Sequence, residues 1–258
     1  MILLLGSEGM AGHIILDYLK SKSYDVVGLS RKDIDIEENL NLPKKEVDYV
    51  INCIGVLGPD SDKDPKRTVF VNGYFPNYLS KYYRDTPVIH ISTDCVFDGK
   101  IGNYVESDIP TETNIYGISK GLGELDNSKD LTLRVSIIGP EIKEPSKRSG
   151  LLNWVLTNSS QELTGYTKAL WNGITTLELA KCIEQYLQNP VISGIYHPVN
   201  EYVSKYELLC LINEIYGLGK TILPADGPKP VDKRLLSTKP FFNVNSLRQQ
   251  LTELVNII

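Results

Sequence analysis

The chain opens with Met-Ile-Leu-Leu-Leu and stops at Gly6. A short unbroken apolar run ending on glycine fits a strand covered on both faces. The period then changes. Across Ala11–Lys20, Ile14, Ile15, Tyr18 and Leu19 recur at helical spacing. Tyr24–Leu29 is apolar again. A strand, a helix and a strand in so short a span require a crossover, and hence parallel strands. The alternation continues with predicted strands at Val47–Ile54, Pro87–Ser92 and Leu131–Ile138. Between them lie predicted helices at Val69–Tyr83, with Phe70, Phe75, Tyr78, Leu79 and Tyr82 on one stripe, and at Tyr116–Asp126. The expected fold is α/β: a Rossmann-like, doubly wound parallel sheet with helices on both faces.

Beyond Gly139 the alternation loosens. Residues Gly139–Lys168 are rich in Pro, Lys and Ser and are expected to leave the sheet. Thr175-x-x-Glu178 and Ser204-x-x-Glu207 read as capping boxes that open helices, the first running to about Gln188. Gly217 fits the residue just past the second helix. Leu223–Lys233, with three prolines, reads as a loop, and a last helix is expected from Asn245. The predicted division is a nucleotide-binding domain at 1–139 plus 169–198, and a smaller substrate-binding region at 140–168 plus 199–258.

Composition narrows the classes. With 27 basic and 32 acidic side chains the net charge is −5, and no basic block is present, which argues against nucleic acid as a partner. No apolar run nears the ~18 residues of a membrane span. Met1–Leu5 is too short for a secretory leader. Cys53, Cys95, Cys182 and Cys210 form no CxxC pair and read as reduced thiols, which points to the cytoplasm. His13, His90 and His197 share no ligand spacing, so no metal site is expected, and His90 reads as a packed strand residue. The mixed run Asp60, Asp62, Lys63, Asp64, Lys66 and Arg67 reads as a solvated loop, with a place over the active site as the alternative. A homodimer is compatible with the sequence.

The candidate chemistry begins at Gly6-Ser-Glu-Gly9-Met10-Ala-Gly12, between the first strand and first helix. Gly6 permits a tight turn. Gly9 and Met10 bring backbone to a pyrophosphate at the positive end of the helix, and Gly12 allows close helix–strand packing. The second strand ends in Gly28-Leu-Ser30-Arg31-Lys32, without the acid that would bind the ribose of NAD. Ser30 and Arg31 therefore favour NADPH, with NADH admitted. The same basic pair also reads as a solvated loop, and Asp33 or Asp35 as an adenine neighbour or a helix cap.

Tyr116-Gly-Ile-Ser-Lys120 puts phenol and ammonium on one helical face. A nearby ammonium favours phenolate, and the same cation is placed to hold a nicotinamide ribose hydroxyl. A hydroxyl from elsewhere would complete the site.

Together with Ile91-Ser-Thr-Asp-Cys-Val-Phe-Asp-Gly99, Glu106-x-Asp108 and Gly123-Glu124, these residues resemble the short-chain dehydrogenase/reductase superfamily. Within it the chain is similar to the dTDP-4-dehydrorhamnose reductase group. The resemblance implies Thr93 as hydroxyl partner, Tyr116 as proton donor and Lys120 as orienting cation. It implies Asp94 as an aid at the substrate, and Asn72 as a helix-bending or water-relay residue beside the cofactor. Cys95 stands where that group usually has an aromatic. The looser likeness of the C-terminal half makes Asn153 and Trp171 candidate sugar or base contacts. Lys147, Arg148 and Lys168 are candidates for the substrate pyrophosphate, the first two in a basic cluster with Lys143.

The implied activity is NADPH-dependent reduction of a dTDP- or UDP-linked 4-keto-6-deoxy sugar nucleotide in deoxysugar or surface-polysaccharide biosynthesis. Two alternatives stand. An epimerase or dehydratase of the same superfamily is disfavoured because no Asp-Glu pair follows Thr93. A non-catalytic NADP-binding regulatory subunit is the other, since the regulatory subunit of methionine adenosyltransferase resembles the same group.

Overall fold

The computed structural model describes residues 1–43, 46–142 and 150–257. Six strands form one parallel sheet: β1 (Ile2–Leu5), β2 (Val26–Leu29), β3 (Tyr49–Asn52), β4 (Val88–Thr93), β5 (Leu131–Val135) and the short strand Gly194–Tyr196. The order across the sheet is Gly194–Tyr196, β5, β4, β3, β1, β2. The winding reverses at β1, so a crevice opens over the carboxyl ends of β1 and β3. Among the described residues, no helix is long and apolar enough to cross a membrane.

Strand periodicity explains the opening run. Ile2 and Leu4 enter one core layer, with Ile15 and Leu19 of helix α1 (Met10–Ser21) and Ile183 of helix Thr176–Gln188. Leu3 and Leu5 enter the other, with Val71, Phe75 and Leu79. All four side chains are buried, each contributing roughly 1.5–3 kcal/mol.

The helix expected at Val69–Tyr83 is three pieces: Pro65–Val69, a π turn at Phe70–Tyr74, and Phe75–Tyr82. Asn72 sits in the wide turn. Its Oδ1 accepts from Val56 N at 2.8 Å, and its Nδ2 donates to Val56 O at 3.1 Å and Ser119 Oγ at 3.2 Å. The helix expected at Tyr116–Asp126 is Ile115–Leu122 and ends at Gly123, where a Cβ would overlap the Asn72 carbonyl oxygen.

The strand expected through Ile138 breaks at Ser136: β5 ends at Val135, and Ile137–Ile138 pairs instead with Ile174–Thr175. The C-terminal half adds strand Ala169–Trp171, flanked by Val203–Ser204 and Val231–Asp232, and the pair Glu162–Tyr166 with Thr221–Ala225. Leu223–Lys233 is therefore not a plain loop; it carries two short strand segments that its prolines hide. Leu152, Val155, Leu208, Ile212 and Leu251 form a separate core under these strands.

Ser204 and Glu207 make the full reciprocal cap. Thr175 caps Glu178 N at 3.1 Å, but the Glu178 carboxylate turns to Asn245 N at 2.7 Å, docking the last helix, Leu247–Val255. That box is half formed because tertiary packing takes the acid.

Candidate active site

A cavity of about 630 Å3 lies over the carboxyl ends of β1, β3 and β4, within the ~300–1,000 Å3 range of ligand sites. Its floor is the glycine turn. Gly6 has φ of +84°, which disfavours any side chain. A Cβ at Gly12 would overlap the Gly6 carbonyl oxygen, so α1 approaches β1 only because that position is bare. Gly9 is the N-cap of α1, and the helix start faces the cavity with Gly6, Gly9 and Met10 in its wall.

Ser30 and Arg31 line the cavity where β2 ends. Both already have partners. Ser30 N and Oγ donate to Asp33 Oδ2, each at 2.8 Å. Arg31 Nε donates to Asp35 Oδ2 at 2.9 Å, and its Nη2 lies 3.4 Å from Glu37 Oε1. Lys32 reaches Glu8 at 2.8 Å. The charged run after β3 is folded: Asp64 caps helix Pro65–Val69 through Arg67 N at 3.0 Å, and Asp60 and Arg67 both line the cavity.

Thr93, Asp94, Tyr116 and Lys120 gather at β4, three strand spacings from β2, roughly 14 Å at ~4.8 Å per strand. The backbone places them. Thr93 is the last residue of β4, and Tyr116 and Lys120 lie one helical turn apart on Ile115–Leu122. Asn114 caps that helix, accepting from Gly117 N at 2.8 Å. Thr93 Oγ1 faces Asp94 Oδ1 at 3.1 Å and accepts from Cys95 N at 3.1 Å, and it also hydrogen-bonds the Tyr116 hydroxyl. Lys120 Nζ donates to the Ile91 carbonyl at 2.7 Å.

Burial dominates the electrostatics. It pushes the Tyr116 phenol up from its ordinary value, against the Thr93 hydrogen bond. This differs from the expected lowering by ammonium, because Lys120 is turned to Ile91. Burial brings Lys120 down to about 8. It also raises the Asp94 carboxyl, against Lys205, Lys233 and hydrogen bonds from Thr93 and Ser136. The Cys95 thiol is pushed up to about 12 by burial, which makes it a poor nucleophile.

The other candidate residues lie elsewhere. Asn72 and Gly12 brace the wall without lining it. Trp171 is buried, donates Nε1 to Ser136 Oγ at 2.8 Å, and carries the Lys205 ammonium 4.8 Å above its ring. Asn153 lies half-buried on helix Leu151–Thr157, away from the cavity wall. Lys168 is exposed and paired with Asp226 at 2.5 Å. Lys143, Lys147 and Arg148 lie outside the described residues. His90 is wholly buried, its Nδ1 3.1 Å from Asn52 Nδ2. Among the described residues no group of His, Cys, Asp or Glu is arranged to hold a metal.

Several residues here are not singled out as site residues by the sequence, although Lys205 lies in a stretch, Val203–Leu208, that resembles nucleotide-sugar reductases. Lys205 faces Asp94 from the C-terminal half, with burial lowering its ammonium to about 8. Lys233 donates to Glu112 at 3.0 Å beside it. Arg67 and Glu37 sit in runs that look solvated. Only long-range packing brings these side chains to the site.

A parallel sheet that reverses over a glycine turn, with threonine, tyrosine and lysine at the ends of its strands, defines a Rossmann-type protein of the short-chain dehydrogenase/reductase superfamily. Within it, the chain belongs to the family of the RmlD substrate binding domain, whose profile matches residues 1–235. It is 33% identical to the probable low-salt glycan biosynthesis reductase Agl14 of Haloferax volcanii over 58% of this chain and 57% of that protein. It is 28% identical to the spore coat polysaccharide biosynthesis protein SpsK of Bacillus subtilis, over 86% and 81% of the two chains. Methionine adenosyltransferase 2 subunit beta of Danio rerio is also similar, at 24% identity over 84% and 74%. Among solved structures, a dTDP-4-dehydrorhamnose reductase from Clostridium acetobutylicum superposes with a TM-score of 0.82 at 22% identity, covering 99% and 98% of the two chains. One from Bacillus anthracis, in complex with NADP, gives 0.80 at 19% over 100% and 99%.

Proposed function

We propose that this chain reduces the 4-keto group of a 4-keto-6-deoxy sugar nucleotide, using NADPH. The observation that carries the reading is the Thr93–Tyr116–Lys120 group at one end of a cavity whose other wall is a glycine turn and a helix start. The residues fit a dinucleotide. The bare positions at Gly6 and Gly12 bring backbone to the cavity, and Lys120 is a buried cation at its wall.

When bound, the cofactor would supply a hydride to C4, its dihydronicotinamide being oxidised to nicotinamide. As that bond forms, the carbonyl π electrons move to oxygen and Tyr116 delivers its phenolic proton there, leaving a hydroxyl. The raised Tyr116 keeps that proton loaded at neutral pH, the state a donor needs in the reductive direction. Thr93, bonded to the Tyr116 hydroxyl, orients it. Lys120, a buried cation held by the Ile91 carbonyl at 2.7 Å, would hold a nicotinamide ribose hydroxyl. The region formed by 140–168 and 199–258 would hold the nucleotide, with Trp171 and Lys205 set behind Asp94 at its border. Binding energy from the nucleotide would then orient the keto sugar. The reaction belongs to the cytoplasm, where the reduced dinucleotide is supplied.

The test is an inhibition pattern. UDP or dTDP should compete with the nucleotide-linked keto sugar and not with NADPH. Competition with NADPH alone would place the nucleotide in the wrong half of the site and sink the substrate reading.

A further inference from the structure

The end of the cavity below β2 holds a chain of charges. Arg31 follows β2, and Arg67 enters from helix Pro65–Val69; between them stands Glu37, and all three line the cavity. Each Glu37 oxygen takes one guanidinium: Arg67 Nε donates to Oε2 at 2.8 Å, and Arg31 Nη2 lies 3.4 Å from Oε1. Asp35 holds Arg31 Nε from the other side at 2.9 Å. The Glu37 side chain is 25% exposed, against 65% for Arg31. The acid is thus a held member of the wall, while the arginine's free face looks outward. One anion bridged by two guanidinium forks is also how a phosphate monoester is gripped.

We propose that Glu37 is a built-in stand-in for the 2′-phosphate of the dinucleotide, and so sets how far this site prefers NADPH over NADH. The inference rests on the dinucleotide reading of the cavity. When NADPH enters, its 2′-phosphate competes with the Glu37 carboxylate for Arg31 and Arg67 and is repelled by it. When NADH enters, the ribose 2′-hydroxyl donates to that carboxylate and both ion pairs stay intact. One acid therefore weakens the first cofactor and serves the second, so Arg31 alone does not make the site strictly NADPH-specific.

The experiment measures Kd by calorimetry for NADPH, NADH, adenosine 2′,5′-bisphosphate and 5′-AMP, on wild type, Glu37→Gln and Arg67→Ala. Glu37→Gln should tighten NADPH and the bisphosphate about tenfold, the scale of a charge-assisted contact freed from competition, and leave NADH and AMP unchanged or weaker. Arg67→Ala should weaken NADPH and adenosine 2′,5′-bisphosphate, the two ligands with a 2′-phosphate, and spare NADH and 5′-AMP. Glu37→Ala should repeat the ordering if the glutamine variant is poorly folded. An unchanged NADPH-to-NADH ratio in folded Glu37 variants overturns the proposal while leaving the dinucleotide reading intact. Wild-type protein that binds neither cofactor overturns both.

Discussion

At the scale of single residues, burial does more than pairing. Lys120 is brought to about 8 by desolvation, with Glu124 and Cys53 opposing. Its cation dominates below that value and is lost as pH rises through it. If the cation serves the reaction, kcat/KM should be level below about pH 8 and fall above it. Tyr116, raised by burial, keeps its proton beyond that point and does not set this limb. A profile flat across the alkaline range would remove Lys120's charge from the mechanism. Lys120→Ala should lower both turnover and NADPH affinity, measured by steady-state kinetics and calorimetry. The tyrosine and lysine are legible in the sequence because one helix turn fixes their spacing. Glu37 is not, and Lys205 and Arg67 are legible only as parts of longer segments, since nothing local marks which charged residue tertiary folding turns inward.

At the scale of elements, short caps hold the chemistry in place. Asn114 caps the helix bearing Tyr116 and Lys120 with one side-chain bond to Gly117 N. Asn114→Ala should cost about 1 kcal/mol, read as a lowered Tm, and reduce kcat through frayed placement of Tyr116. A lowered Tm with unchanged kcat would confine the cap to stability. The elements that repeat a strong period, β1, α1 and β4, are readable from hydrophobic spacing. The π turn at Phe70–Tyr74 is not, because its apolar stripe is also that of an α-helix. Within it the Asn72 amide is bonded across to Val56 and Ser119, contacts that no local pattern shows. The strand Gly194–Tyr196 is too short for a pattern to show.

At the scale of the molecule, a buried ion pair ties the chain just past the helix of Tyr116 and Lys120 to the sheet. Arg134 of β5 gives Nε and Nη2 to the two Glu124 oxygens, both at 2.7 Å, and Ser92 of β4 donates to Glu124 at 2.7 Å. The two side chains are 2% and 5% exposed. Glu124→Ala leaves a buried guanidinium uncompensated and should cost about 3–5 kcal/mol, read from the urea midpoint. Loss of under about 1 kcal/mol would show that water reaches Arg134. Nearby, Glu106 accepts from Thr238 Oγ1 at 2.7 Å and so fastens the C-terminal half to the loop after β4. The parallel sheet is legible in the sequence because strands alternate with crossover helices, but the strand order is not, since β3 returns to the far side of β1. The docking of the second half is not legible, since it joins such polar contacts to apolar packing of Ile14 and Leu177 against Leu247 and Leu251 far along the chain.

The central claim is that Tyr116 protonates a nucleotide-linked 4-keto sugar as NADPH is oxidised. The most direct measurement is NADPH oxidation by wild type and Tyr116→Phe, with dTDP- and UDP-linked 4-keto-6-deoxy sugars beside the same sugars lacking the nucleotide. Wild type should turn over a nucleotide-linked sugar and leave the free sugars nearly untouched. Tyr116→Phe, which loses one hydroxyl, should bind NADPH as before and turn over ~10²–10⁴ times more slowly. Near-normal turnover by the phenylalanine variant, or wild-type protein inert towards every keto sugar nucleotide while binding NADPH, would contradict the account.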